Sequence, residues 1–321
     1  MTKPRRPRPV RFHDDAPGEG ERLFSDGTIS PVLRTDFDVS AYTHDVAGPI
    51  PIDTESLRAT ARNDAETAAL HRNLTYLHRV EAAALTETRT MYSSWTANEA
   101  RITAFIASWL WERFWWARGL REIRDALPAP SPPVSPERRT GPLPALRAGI
   151  RRTYAKRALP IAGPGWTAAF GERVTAGHMA RMALQEASLQ AALRILRPRL
   201  QGLPEAQRVV GEIMDRRERS LDFFRQEAIA RISRSRAEAL TARLVVAVGG
   251  DPLRPAGRRI PGEQSARADL FQAPADRAVL SEAQTGITRF LPGPDRMVTI
   301  IPATAARGAR PVSGGFLGVR S

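Results

Sequence analysis

Three glutamates carry the strongest chemical signal in this sequence, because each falls in the apolar stripe of a segment with helical spacing. They are Glu81, Glu99 and Glu186. Carboxylates that project from separate helices into one interior are the ligands that hold iron or manganese in helical bundles. The sequence therefore predicts a shared carboxylate site that needs a positive charge at its centre.

A fourth segment suggests where that charge comes from. Arg217 and Ser220 stand where a metal-binding helix would carry the Glu and His of a Glu-x-x-His pair. Buried carboxylates without a cation repel one another, and their pKa values rise until some are protonated. A guanidinium offers five donors in a fork that matches carboxylates. We therefore predict that Arg217 is an internal cation that replaces the metal and neutralises the glutamates.

The spacing along the chain tests whether these side chains can meet. Glu186 and Arg217 are equidistant from the helix break at 202–204, so an antiparallel hairpin would put them at the same height. Glu81 and Glu99 are equidistant from Thr90, in a stretch of poor helix formers. One continuous helix would hold them about 27 Å apart, at roughly 1.5 Å per residue. A shared site therefore requires a turn near Thr90.

Structural explanations remain open for each glutamate. Glu99 follows Thr96 by three residues, which is the spacing of a capping box. Glu81 could reach solvent past small alanine neighbours, and Glu186 could border a core beside Gln185.

Two histidines are candidate additional metal ligands. His78 lies one turn before Glu81, and His178 lies two turns before Glu186. A lone histidine on such a face is more often a hydrogen-bonded residue of the core or its rim.

Helical periodicity indicates how these residues are positioned. It predicts four long helices, over about 53–88, 94–126, 170–200 and 205–246. A proline-rich crossover at 127–168, with one short helix near 144–157, joins the second helix to the third. We therefore predict an all-α fold, a ferritin-like four-helix bundle with one long crossover.

The sequences at the two ends of the chain lack the long helical periodicity of the bundle. Residues 1–52 are predicted to be a flexible N-terminal arm, because proline, glycine and mixed charge occur there without a period. The bundle, including its crossover, is assigned to residues 53–246. Residues 247–321 are predicted to form a mostly extended C-terminal extension with one short helix at 275–289.

The residues around the glutamates resemble a known family. Residues 95–102 (WTANEARI) resemble the W-T-A-E-E-x-R-H stretch of acyl-carrier-protein desaturase-like members of the ferritin superfamily. Residues 178–186 (HMARMALQE) are similar to the H-M…Q-E segment of actinobacterial ferritin-like proteins. Residues 216–220 (RRERS) resemble that family's D-E-x-R-H with its ligands replaced. The resemblance covers about residues 70–125 and 172–295.

The resemblance implies an oxygen-activating di-iron centre, typically used to oxidise an acyl chain. The three glutamates match ligand positions of that centre. Ile102 stands where the first histidine belongs, and Arg217 and Ser220 replace the second Glu and His. The resemblance therefore implies a degenerate di-iron site in a pseudoenzyme.

The composition excludes several classes of site. The chain has 321 residues, a formal net charge of +14 and no cysteine, so disulfides, thiolate metal sites and cysteine nucleophiles are excluded. The charge comes mostly from arginine, and no nucleic-acid-binding module accompanies it, so we expect no nucleic-acid partner. Without a secretory signal or a run of about 18 uncharged apolar residues, we expect a cytoplasmic protein.

Three functions follow from these observations. The first is a scaffold or binding module without a cofactor, whose interior, lined by Phe105, Trp109 and Met182, could hold a lipid-like ligand. The second is an oxidase or desaturase-like enzyme that binds iron through the glutamates and a histidine. The third is peripheral membrane contact through the Trp-rich second helix and the basic arm. A homodimer is compatible with each of them.

Overall fold

The computed structural model of the chain describes residues 32–129, 165, 169–255, 260 and 262–293. Within these ranges the chain is helical and contains no strand, so the predicted all-α class is confirmed. The α-helices are α1 (Val39–His44), α2 (Thr54–Thr60), α3 (Ala65–Glu81), α4 (Ala84–Tyr92), α5 (Ala100–Ala126), α6 (Val174–Arg199), α7 (Pro204–Arg234), α8 (Arg236–Gly249), α9 (Glu263–Leu270) and α10 (Pro274–Thr288). Two 3₁₀ segments, Trp95–Asn98 and Gly171–Arg173, precede α5 and α6.

Helix α6 lies at the centre of the fold. Every residue from Val174 to Leu193 is buried, and the helix packs against α3, α7, α8, α9 and α10. A surface helix keeps a polar face towards solvent, whereas α6 has almost none. The polar side chains that α6 carries must therefore find their partners inside the protein.

The predicted first helix is divided into three. Asp64 is the N-cap residue of α3 and separates this helix from α2. Its side chain accepts a hydrogen bond of 2.8 Å from the backbone N–H of Thr67. A short break at 82–83 then separates α3 from α4. The chain reverses at 93–99, after Tyr92, and not near Thr90 as the spacing predicted.

The predicted fourth helix is interrupted once. Ser235 has extended backbone dihedrals and accepts a hydrogen bond of 3.2 Å from the backbone N–H of Glu238. This N-cap ends α7 and starts α8 in a new direction. Helix α8 returns onto α6, which is why α6 loses its solvent face.

The described part of the predicted N-terminal arm is packed against the helices. Tyr42 on α1 is 1% exposed, and its hydroxyl donates a hydrogen bond to the buried carboxylate of Glu112 on α5. Burial of this carboxyl raises the pKa of Glu112. Within the predicted arm, residues 39–44 therefore form a helix that packs against α5. Residues 1–31 and the crossover with its short helix at 144–157 lie outside the described residues.

The C-terminal extension is also more helical than predicted. Helices α9 and α10 occupy most of residues 262–293, and Leu270 and Leu280 are fully buried in the main core. The expected helix at 275–289 is found as α10.

A buried arginine joins α6 to the end of α8. Arg181 donates hydrogen bonds to the backbone carbonyl of Gly250 at 2.7 Å and to that of Asp251 at 3.2 Å. Gly250 and Asp251 follow Gly249, the last residue of α8, so Arg181 ties the segment that leaves α8 to α6. Burial lowers the pKa of Arg181.

The contact between α6 and α8 predicts a sensitive glycine. A Cβ atom added to Gly177 would lie 2.5 Å from Cγ2 and 2.7 Å from Cβ of Val245. We expect Gly177→Ala to lower the free energy of unfolding by about 1–3 kcal/mol through overpacking, as measured by urea denaturation. Val245→Ala in the same chain should restore only part of the loss, because it removes Cγ2 but keeps the Cβ atom that lies 2.7 Å from the added methyl group.

The matched control is Gly202→Ala, because an added Cβ there would meet nothing within 4 Å. Equal destabilisation by both substitutions would contradict the close approach of α6 and α8.

Candidate functional site

Four charged side chains form a closed cluster in the interior, which we call the buried quartet. It consists of Glu81 at the end of α3, Arg113 on α5, Glu186 on α6 and Arg217 on α7, each 0% exposed. Nε of Arg113 lies 2.6 Å from Oε2 of Glu81, and Nη1 of Arg217 lies 2.6 Å from Oε2 of Glu186. Arg113 also pairs with Glu186, and Arg217 also pairs with Glu81.

The pairing uses every carboxylate oxygen of the quartet. Oε1 and Oε2 of Glu81 face Arg217 and Arg113, and Oε1 and Oε2 of Glu186 face Arg113 and Arg217. The two negative and two positive charges balance. The hydrogen bonding is less complete than the charge balance: within the described residues Oε2 of Glu81, Nε of Arg113 and Nε of Arg217 are buried without a hydrogen-bond partner, although the first two face each other at 2.6 Å.

Aromatic rings and a helix end complete the surroundings of the guanidinium groups. The Cζ atom of Arg113 lies 5.3 Å from the ring centroid of Trp109, and that of Arg217 lies 4.7 Å from the ring centroid of Trp116. These are cation–π distances, and the interaction is strongest where water is excluded. Nη2 of Arg113 also donates to the backbone carbonyl of Glu81 at 3.0 Å.

The electrostatics keep Arg113 charged. Burial lowers the pKa of this guanidinium, but the charges of Glu186 and Glu81 outweigh burial and hold the pKa above its ordinary value. Arg113 therefore stays cationic near neutral pH.

Sequence reasoning missed Arg113, although a signal was present. Arg113 lies four residues after Trp109 and three before Trp116, so all three share one face of α5. Both tryptophans are fully buried. A charged residue on such a face needs a buried partner, and this pairing requirement could have identified it.

Glu99 does not belong to the quartet. Arg231 donates to both of its carboxylate oxygens, at 3.1 Å and 2.7 Å, and contacts Glu227 at 3.2 Å. Arg217 and Arg231 are 14 positions apart on α7, which is about 21 Å at roughly 1.5 Å per residue. The three predicted carboxylates therefore divide between two clusters. Glu99 is the N-cap residue of α5, and its side chain makes no capping hydrogen bond at that position.

The two histidines also have other surroundings. Nδ1 of His178 lies 2.7 Å from the hydroxyl oxygen of Thr96, and burial lowers the pKa of His178 to about 4. Burial and then the charges of Arg124 and Arg121 lower the pKa of His78 to about 4. Among the described residues, neither histidine forms a hydrogen bond or an ion pair with the quartet.

Ile102 and Ser220, which the resemblance aligns with histidine ligands, have structural contacts here. Ile102 is fully buried in the apolar core, and the hydroxyl of Ser220 donates to the backbone carbonyl of Arg217 at 3.0 Å. Across the part of the chain that the structure describes, no group of three or more His, Cys, Asp or Glu residues could hold a metal ion.

A di-iron centre does not fit the residues at this position. Glu81 and Glu186 are the only carboxylates of the quartet, and both are fully engaged by guanidinium groups. A metal ion would have to displace two cations that are enclosed by tryptophan rings. The donor set is therefore that of an internal ion-pair network.

The interior residues expected to line a ligand cavity are packed together. Phe105 stacks on Tyr42 with ring centroids 4.7 Å apart and on Phe223 at 3.5 Å. Trp109 and Met182 are buried in the same cluster. Aromatic rings therefore fill the space beside Phe105.

Comparison with known proteins gives no match to a family model, to a curated protein or to a solved structure. The family resemblance of the short motifs remains a prediction. What can be argued about function rests on side-chain geometry.

The quartet predicts a large cost for removing one of its cations. Arg217→Ala leaves three charges with a net charge of minus one, so we expect the free energy of unfolding to fall by about 3–5 kcal/mol. Chemical denaturation followed by circular dichroism measures this change.

Arg208→Ala is the matched control on the same helix. The side chain of Arg208 is 47% exposed and pairs with Glu205 at 2.8 Å and Glu212 at 3.0 Å, and exposed pairs contribute only about 0–1 kcal/mol. Similar losses for the two variants would show that the quartet is not a buried charge network.

Proposed function

We propose that this chain is a ferritin-like protein with a degenerate metal site, and that it acts as a non-catalytic scaffold or binding module. One observation carries the proposal. Arg113 and Arg217 occupy the space between Glu81 and Glu186, and they engage all four carboxylate oxygens. The protein thereby keeps inward carboxylates without needing a metal ion to neutralise them.

The origin of the quartet supports the four-helix part of this proposal. One side chain comes from each of α3, α5, α6 and α7, which are the long helices on which a bundle site would be built. The connection between α5 and α6 is the long one in the sequence, as a single crossover requires. Helices α8, α9 and α10 are then additions that enclose α6.

The enzyme alternative is less well supported by the same contacts. A metal-dependent oxidase would need Glu99 or a histidine to join Glu81 and Glu186. Glu99 is paired with Arg231, and His178 lies against Thr96. Each of these residues would have to leave a buried partner before it could bind iron.

Elemental analysis tests the proposal directly. After expression in iron-replete medium and gel filtration, we expect iron far below the amount of about two per chain that a di-iron bundle site holds. Stoichiometric iron would overturn the proposal.

Glu186→Gln is the control that separates site-bound from surface-bound metal. Any iron held at the quartet should be lost in this variant, whereas adventitious iron should be unchanged.

An exposed aromatic surface favours a second candidate function, contact with an anionic lipid surface. Trp111 and Phe114 on α5 are 49% and 56% exposed, and they lie beside Trp115, over which the guanidinium of Arg118 is placed at 5.3 Å. Tryptophan and arginine together are typical of interfacial helices. Within the described residues no helix is both long and apolar enough to cross a membrane, so the contact would be peripheral.

Vesicle flotation tests this second function. We expect the wild type to float with phosphatidylserine vesicles and to stay at the bottom with neutral phosphatidylcholine vesicles, because the chain is basic. The double variant Trp111→Ser, Phe114→Ser should lose flotation. Ile260→Ser, which alters a residue that is 38% exposed elsewhere, should not. Equal flotation of both variants would exclude the α5 surface.

A further inference from the structure

Residues 35–48 contact both α5 and α7, and we call this segment the strap. Near its start, Nη2 of Arg101 on α5 donates a hydrogen bond of 3.0 Å to the backbone carbonyl of Phe37. At its end, Nη1 of Arg216 on α7 donates a hydrogen bond of 2.7 Å to the backbone carbonyl of Gly48. The strap is therefore held at both ends by arginines of the two helices. We call the surface of α5 and α7 beneath it the strap groove.

Two aromatic rings of the strap fill the strap groove. Tyr42 stacks on Phe105 with ring centroids 4.7 Å apart. The ring of Phe37 lies edge-on to Phe223, with centroids 5.2 Å apart. Phe105 and Phe223 are each 0% exposed and stack on each other. If the strap left, these two rings would face solvent as an aromatic notch between α5 and α7.

The strap groove contacts the main chain of the strap at several points. The backbone carbonyls of Phe37 and Gly48 accept hydrogen bonds from arginines, and the backbone N–H of Ala47 donates to Oε1 of Glu112 at 3.2 Å. Main-chain hydrogen bonds combined with side-chain pockets are the means by which proteins recognise peptide segments. A lipid carries its polar groups at one end only. Contacts distributed over residues 37–48 therefore favour a polypeptide as the occupant.

The charges of the strap and of its groove are complementary. The strap contains Asp36, Asp38 and Asp45 and has no lysine or arginine. Asp45 pairs with Arg219 on α7 at 2.7 Å, and the guanidinium of Arg219 lies 5.0 Å from the ring centroid of Tyr42. Complementary charge across an interface gives specificity. The occupant that fits this groove is therefore an acidic segment with two aromatic side chains.

The strap can leave without isolating the buried carboxylate beneath it. Glu112 accepts hydrogen bonds from the hydroxyl of Tyr42 and the backbone N–H of Ala47. Burial raises the pKa of Glu112, and the charges of Arg219 and Arg216 act in the opposite direction. Both arginines lose an acceptor when the strap leaves, so they become free to compensate Glu112. The groove is thus electrostatically balanced with and without the strap, as a two-state element requires.

We propose that the strap groove is a recognition site for acidic polypeptide segments that carry two aromatic residues, and that residues 35–48 block it by occupying it in cis. This proposal rests on the proposed role as a binding module and adds the class of partner. The strap lowers the apparent affinity for a partner, because only molecules with an open groove can bind it.

A fluorescent synthetic peptide of residues 35–48 tests the groove in the full chain. In the double variant Phe37→Ser, Tyr42→Ser the strap loses both rings. The peptide should bind this variant at least about tenfold more tightly than the wild type, because the chain's own strap no longer competes. Fluorescence anisotropy measures both affinities. Equal affinities, or no binding to the double variant, would overturn the proposal.

Two controls locate the bound peptide. A peptide in which Phe37 and Tyr42 are replaced by serine should bind neither protein. Adding Arg219→Glu to the double variant should weaken binding of the natural peptide about tenfold, which corresponds to roughly 1.4 kcal/mol, because the partner of Asp45 is reversed in charge. Arg225→Glu, at an exposed position of the same helix, makes the same change in net charge and should have little effect. Equal weakening by both substitutions would contradict binding in the strap groove.

Thiol labelling measures opening of the strap with its rings intact, because the natural sequence has no cysteine. Val39 on α1 is 8% exposed, and Val210 on α7 is 0% exposed. We expect Val39→Cys to react more than about tenfold faster than Val210→Cys, since local opening needs less free energy than global unfolding. Added unlabelled peptide should raise the rate for Val39→Cys and leave that for Val210→Cys unchanged. Equal rates, or no effect of the peptide, would contradict a detachable strap.

Gel filtration distinguishes a separate partner from a second copy. The strap of another copy has the same chemistry, and its exchange would give dimers whose proportion rises with concentration. Such dimers of the wild type, absent from the Phe37→Ser, Tyr42→Ser variant, would assign the groove to a second copy and overturn the proposal of a separate partner. Iron content enters none of these measurements, so their failure is distinct from a failure of the degenerate-site proposal.

Discussion

The neutralisation of buried carboxylates by arginine is the interaction on which this fold depends. The side chains of Glu81 and Glu186 are fully buried, and an uncompensated charge in such a region is very unfavourable. Arg113 and Arg217 supply the compensation from the two helices that face them. Each of the four long helices thus contributes one charge to a neutral ring. The positions of α3, α5, α6 and α7 relative to one another are therefore fixed by ion pairs as well as by apolar packing.

A second cluster repeats this solution towards the other end of α7. Arg231 pairs with Glu99 and Glu227, and Arg101 also pairs with Glu227. Burial opposes the charge of Arg231, but its carboxylate neighbours raise its pKa above the ordinary value. Two clusters of this kind explain how a chain with so many arginines can bury several of them. They also favour a single register for α7, because a shift along the helix would separate both arginines from their partners.

The sequence predicted side-chain pairing correctly where two helices form a symmetric hairpin, as α6 and α7 do. Equal distances from the break near residue 202 indicated that Glu186 and Arg217 lie at one height, and the α6–α7 hairpin brings them together. The same reasoning failed for Glu99, because the connection before α5 contains an extra short helix, α4, and a 3₁₀ segment. Periodicity cannot locate such breaks when the flanking residues are alanine and threonine. Arg113 was missed because tryptophan dominates its neighbourhood on α5.

The hydrogen bonds of Arg181 with the carbonyl groups after α8 have a consequence for cooperativity. If α8 detached alone, the guanidinium of Arg181, which belongs to α6, would lose its two hydrogen-bond acceptors. The first turns of α6 would also become exposed to solvent. Local opening of α8 therefore also destabilises α6, because it leaves the charge of Arg181 without hydrogen-bond acceptors. Amide hydrogens in α8 and in the first half of α6 should exchange as one unit, with protection closer to that of the whole domain than to that of a peripheral helix.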